Sequence, residues 1–123
     1  MPTIVHFEIP TDDAERAKKF YTELFGWKFD KFQGPMEYWL ITTKKGNGDA
    51  GIGGGMMKRQ NPQQSITNYI DVPSVDEYVG KVSKLGGKVV VSKMAVPGEG
   101  YLAVCLDTEN NSFGIWEKNK EAK

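Results

Sequence analysis

Cysteine is nearly absent from this chain. Cys105 stands alone in 123 residues, so an internal disulfide and a cysteine-built zinc cage are both excluded. Histidine is equally scarce, with His6 the only one. Net charge is missing too, because sixteen Lys and Arg balance sixteen Asp and Glu. The basic pairs Lys18-Lys19, Lys44-Lys45 and Lys58-Arg59 are scattered, which argues against a basic face for nucleic acid or an anionic membrane. No apolar run approaches the ~18 residues of a membrane span. The N-terminus also lacks the basic stretch and apolar run of a secretory signal. The expectation is a cytoplasmic protein with neither a nucleic-acid nor a membrane partner. A length of this order suits one domain and buries roughly two-thirds of the unfolded surface.

Glycine is abundant and clustered, with Gly51, Gly53, Gly54 and Gly55 nearly contiguous. The cluster lacks the Lys-Ser/Thr of a phosphate loop and precedes no helical pattern, so it reads as close strand packing. Residues 3–9 alternate, with Val5, Phe7 and Ile9 on one face and Ile4, His6 and Glu8 on the other. Such alternation predicts a half-buried strand. Asp12 and Glu15 have capping-box spacing, and Ala14, Ala17, Tyr21, Leu24 and Phe25 recur at helical spacing before Gly26. Three strand-like segments follow over 27–32, 37–43 and 50–57, separated by Gln33-Gly34-Pro35 and Lys45-Gly46-Asn47-Gly48.

After the polar segment 58–64 the pattern restarts. It runs as strand 66–72, a helix opened by Ser74 and Glu77 and closed at Gly86-Gly87, then strands 88–96, 101–107 and 112–117. One offset of 61 residues lays Ile9 on Ile70, Leu24 on Leu85, Gly26 on Gly87 and Gly53 on Gly114. Two copies are too few for a solenoid. The chain therefore reads as a single α+β domain of two tandem βαβββ modules, 3–57 and 65–118, joined by linker 58–64.

The segments VHFEIPTDDAERAKKFYTELFGWKF (5–29), YIDVPSVDEYVGKVSKLGGKVV (69–90) and DTENNSFGIWE (107–117) resemble the vicinal oxygen chelate superfamily. That group contains glyoxalase I, extradiol dioxygenases, methylmalonyl-CoA epimerase and bleomycin-binding proteins. The resemblance implies curled mixed sheets around a cavity with helices outside, and a homodimer. It also implies four metal-ligand positions, which fall on His6, Gly53, Thr67 and Gly114. Glycine offers no side chain and neutral Thr is a poor ligand, so no metal and no cofactor are expected.

His6, with a reference pKa near neutrality, and Glu8 on its face are the candidate acid–base pair. Tyr38, Trp39, Thr67, Tyr69, Tyr101 and Trp116 are the candidate ligand-binding residues, the aromatics among them supplying stacking walls. Cys105 is expected on one face with Tyr101 and Ala103, as an inert buried thiol. Gly53 and Gly114 are expected to leave space at the centre. The function these readings favour is small-molecule binding without a complete metal centre, with the ligand held in the cavity between the modules. The alternatives are a lyase or isomerase of the glyoxalase type using His6, and a protein-interaction or regulatory domain.

Overall fold

A computed structural model describes residues 1–123 and contains eight strands and two helices, a mixed α+β fold. The chain divides into two compact units, His6–Ile66 and Met1–Val5 with Thr67–Lys123. Each is a βαβββ module.

The first unit holds most of β1 (Ile4–Thr11), α1 (Ala14–Phe25), β2 (Lys28–Lys31), β3 (Tyr38–Thr42) and β4 (Gly53–Lys58). Its strands lie in the order β2-β3-β4-β1. β4 runs parallel to β1, with His6 opposite Gly53 and Glu8 opposite Gly55. β3 is antiparallel to both β2 and β4. Alternation on β1 decides which face is covered. Ile9 joins Phe29, Ile41 and Met56 in a core that Phe7, Ala14, Ala17, Tyr21, Trp27 and Trp39 pack against. His6 and Glu8 take the opposite face.

Asp13, not Asp12, caps α1 by accepting the Arg16 N–H at 3.0 Å. Asp12 instead forms an ion pair with Arg59 at 3.2 Å. Arg59 also donates to the backbone carbonyls of Gln64 and Pro10, tying the connecting segment to the end of β1. Gly26 ends α1 with φ of 74°, in the left-handed region that glycine tolerates.

The second unit holds β5 (Thr67–Asp71), α2 (Val75–Lys84), β6 (Lys88–Val96), β7 (Gly100–Leu106) and β8 (Ser112–Lys118). Their order is β5-β8-β7-β6, with β5 and β8 parallel. The first residues of the chain join it, since Asp71 N–H donates to the Thr3 carbonyl at 2.9 Å. Ser74 caps α2 by accepting from Glu77 N–H at 3.2 Å. Glu117, from the far strand, accepts a second orphan amide, Val75 N–H, at 2.9 Å. Val72, Val75, Ala103 and Ile115 form the core, with Ile70, Tyr78, Val79, Tyr101 and Phe113 against it.

The two units are not superposable by one offset along their whole length. His6 faces Gly53, yet the repeat mate of Gly53, Gly114, faces Tyr69 rather than Thr67. The last strand is slid by two residues. A slip of two preserves the side-chain faces, so the apolar pattern gave no sign of it.

Candidate functional site

Tyr38 is the centre of the polar cluster in the first unit. Its hydroxyl donates to Glu8 Oε2 at 2.9 Å and meets His6 Nε2 at 3.0 Å. A phenol has one proton to give. With that proton on the Glu8 carboxylate, the Tyr38 oxygen can only accept from His6, which fixes Nε2–H and leaves Nδ1 as the basic atom of the neutral ring. Three residues from two strands thus form one directed chain, His6 to Tyr38 to Glu8.

The glycine cluster makes this geometry possible. A Cβ on Gly55 would overlap the Tyr38 ring and hydroxyl, so Tyr38 lies in the space that Gly55 leaves. Gly53 behaves differently. A Cβ there would meet only the Ile41 carbonyl, at 3.5 Å, so the strand beside His6 has room for a side chain it does not carry. Half-exposed apolar residues border the cluster. Phe32 packs edge-on against Tyr38, with centroids 6.2 Å apart, and Leu40, opposite Gly55, is 41% exposed.

Burial lowers the pKa of His6 below 6.5, and the nearby charge of Glu8 partly opposes that. His6 is the only histidine, so its imidazole gives a single NMR titration. The midpoint is expected below 6.5, and Glu8→Gln is expected to move it lower still. A rise on Glu8→Gln would contradict the assignment. The sign for stability follows. Between the two pKa values the unfolded imidazole binds the proton and the folded one does not, so acidification below pH 6.5 favours unfolding. This contribution levels off once the folded imidazole is also protonated.

Three expectations about position need correction. Trp39 lies on the covered face of its sheet, packed on the first core with Lys18 Nζ 4.7 Å from its ring centroid. Tyr101 likewise packs on the second core, beneath Lys93 at 4.2 Å. The cause is register. Tyr101 is opposite Glu117 and Ala103 opposite Ile115, and directly paired residues share a face. Glu117 and Ile115 serve α2, so Tyr101 and Ala103 do as well. Cys105 keeps the parity of Ala103 and is fully buried, and burial pushes its thiol pKa up. The third correction concerns Gly114. Its space is not open, because a Cβ there would fall within the ring of Tyr69.

Thr67, Tyr69 and Trp116 belong to the second unit. Thr67 is buried, its hydroxyl 3.4 Å from that of Ser112. Trp116 is half-buried over Gly100. Among the candidates, His6, Tyr38 and Glu8 are joined by hydrogen bonds. Sequence reading named all three residues but missed the hydroxyl bridge, whose only signal was the unbroken Gly53–Gly55 run. A separate depression of about 130 Å³, lined by Thr11, Asp12, Glu37, Trp39 and Lys58 among others, is smaller than the roughly 300 Å³ at which ligand pockets begin.

Comparison with known proteins fits this architecture. Residues 3–43 match the family model described as bleomycin resistance protein-like N-terminal. A glyoxylase-like domain-containing protein of Didymella fabae is 31% identical over 112 residues, covering 88% of both chains. The chain belongs to the glyoxylase-like family.

Other relatives are more distant or longer. CFP32 of Mycobacterium tuberculosis, provisionally named a glyoxylase, is 32% identical over 92% of this chain, but the match spans 44% of its own length. This glyoxalase-like chain thus spans about half the length of the first curated relatives it matches. A methylmalonyl-CoA epimerase of Streptomyces coelicolor superposes with a TM-score of 0.70 over 98% of this chain and 97% of its own. At 10% identity that likeness shows the fold alone. A superfamily member from Vibrio splendidus gives 0.67 at 10% identity, over 97% of this chain and all of its own.

The superfamily's metal does not suit the residues present. Of the four ligand positions two are glycines, and the ring of Tyr69 occupies the space at Gly114. Glu8 and His6 Nε2 are both engaged by Tyr38. No group of three or more His, Cys, Asp or Glu side chains is placed to hold an ion.

Proposed function

We propose that this glyoxalase-like chain is a small-molecule-binding protein without a complete metal centre, and that its ligand lies on the face of the first unit that carries His6 and Glu8. The observation that carries the reading is the His6–Tyr38–Glu8 chain set beside bare backbone at Gly53. A strand face without side chains accepts a flat group closely. The imidazole, phenol and carboxylate then supply directional hydrogen bonds, and Phe32 and Leu40 supply apolar contact. A few convergent polar groups in an apolar setting are the usual make-up of a small-molecule site. The ligand class is therefore a compact, partly planar molecule with one polar end.

A second reading, a lyase or isomerase, is favoured by one feature. His6 is held with a lowered pKa and its Nε2 proton directed at Tyr38, which suits Nδ1 to take a proton from a carbon acid. Glu8, through Tyr38, then stabilises the imidazolium that forms.

A thermal-shift panel of aromatic carboxylates and 2-oxo compounds tests both readings, with wild type, Tyr38→Phe and His6→Ala compared. Hits are expected to lose about tenfold or more in affinity in either variant, since each leaves a polar ligand group unpaired. Hits indifferent to both variants, or no hit at all, would remove the site. Deuterium uptake at the α-carbon of a bound 2-oxo compound, lost in His6→Ala, would mark the enzyme. Binding without exchange would mark the binder.

A further inference from the structure

Asn47, Asn61 and Asn119 share one turn contact. The side-chain carbonyl of each accepts the backbone N–H two residues on, at 3.0, 3.0 and 2.8 Å respectively. This contact folds the side-chain amide back over the peptide bond that follows it. The donated N–H also draws electron density from Cγ and stands where negative charge gathers if a nucleophile attacks that carbon. What differs among the asparagines is the nearest such nucleophile, the backbone nitrogen of the next residue.

That residue is Gly48, Pro62 and Lys120 in turn. The Pro62 nitrogen has no proton to lose and cannot close a ring. Lys120 brings a side chain against the approach. Gly48 brings none. It lies in the left-handed region with φ of 92°, and nothing stands within 4 Å of the place that a Cβ would occupy. Asn47, Gly48 and Asp49 are all exposed, so water and hydroxide reach them. One restraint acts on the nucleophile. Gly48 N–H donates to the Lys45 carbonyl at 2.9 Å, a bond that must open before the nitrogen reacts and that opens readily in an exposed turn.

We propose that Asn47 is a self-modification site, where the Gly48 nitrogen attacks Cγ and converts Asn47 to a mixture of isoaspartate and aspartate. Hydroxide removes the Gly48 proton, the N–Cγ bond forms, and Nδ2 leaves as ammonia with a proton from water. Water then opens the cyclic imide that results. Addition at Cγ gives aspartate. Addition at the main-chain carbonyl gives isoaspartate, whose backbone is longer by a methylene. The sequence needs water alone and no oxidant.

Either product sets a second carboxylate beside Asp49 and loses the Nδ2 bond to it, now 3.1 Å. The turn between β3 and β4 therefore loosens. Thr43 still joins the two arms inward of it, through Gly51 N–H at 3.0 Å and the Ile52 carbonyl at 2.7 Å. The inference is independent of the small-molecule site.

Ageing the whole chain in mildly alkaline buffer, folded and in urea, is the test. Peptide mass spectrometry locates the exchanged amide, and methyl transfer by an isoaspartyl methyltransferase counts isoaspartate. In the folded chain Asn47 is expected to convert first, Asn119 more slowly and Asn61 not at all. Asn47→Gln, whose longer side chain disfavours the ring, is expected to lose the main isoaspartate signal. Lys120→Gly is expected to speed conversion at Asn119 about tenfold, a barrier change of roughly 1.4 kcal/mol. Far-ultraviolet circular dichroism confirms that each variant is folded, and wild type alone decides should one unfold. No conversion at Asn47 in the folded chain overturns the inference, even where urea permits it, because the Gly48–Lys45 bond then holds the site closed. Equal rates at the three asparagines, or aspartate formed without isoaspartate, overturn it as well.

Discussion

Gly55→Ala is expected to dismantle the polar cluster while leaving His6, Tyr38 and Glu8 in place. The new methyl group would occupy the position of the Tyr38 ring end. A phenol cannot bend away, so Tyr38 must swing off the strand and release both hydrogen bonds. Overpacking of this kind costs roughly 1–3 kcal/mol. The functional loss is expected to match that of Tyr38→Phe. Gly53→Ala is the control, because its methyl meets only a carbonyl oxygen at 3.5 Å, an ordinary contact. Chemical denaturation and the His6 NMR titration measure the two consequences separately. An unchanged melt together with an unchanged His6 midpoint in Gly55→Ala would show that Tyr38 does not depend on the glycine.

The largest loss of stability is expected from Met56→Ala. Met56 is fully buried at the centre of the first core, with Ile9, Phe29 and Ile41 around it. Removing a large aliphatic side chain from such a site costs about 2–5 kcal/mol, the spread reflecting how far the cavity collapses. Met57, its neighbour in sequence, faces the other side of the same strand and is half-buried. Met57→Ala is therefore expected to cost clearly less. Urea unfolding of the pair reads the difference directly. Equal midpoints would mean that the core of this module is not organised around β4.

Much of the fold was legible because local chemistry and periodicity agreed. Gly26 stops α1 and Ser74 starts α2 where expected, since a left-handed stop and a side-chain cap are local demands. The division of β1 into a covered face with Phe7 and Ile9 and another with His6 and Glu8 follows from alternation alone. Sidedness across strands was not legible. Sequence alone left open which of Tyr38 and Trp39 faces the covered side, and it did not place Tyr101 on the core, because a single strand gives parity but not which parity points to the helix. That choice is made by registers such as Trp39 with Met56 and Tyr101 with Glu117. The same limit hid the bridge between His6 and Glu8. Both lie on β1, while the hydroxyl that joins them arrives from β3, 30 residues or more away. The Asp13 cap was missed by one residue, Asp12 being paired instead with Arg59.

Cys105 also makes the second unit its own timepiece. The thiol has no solvent exposure and lies within β7, which is paired on one side with β6 and on the other with β8. A water-soluble thiol reagent reaches it only when those strands part. With no other cysteine in the chain, each modified molecule records one opening of that sheet. When reclosing outruns the reagent, the modification rate counts how often the sheet stands open. When the reagent is in excess and fast, it counts how soon the sheet opens. The protein can therefore report the lifetime of its own native state without an added probe.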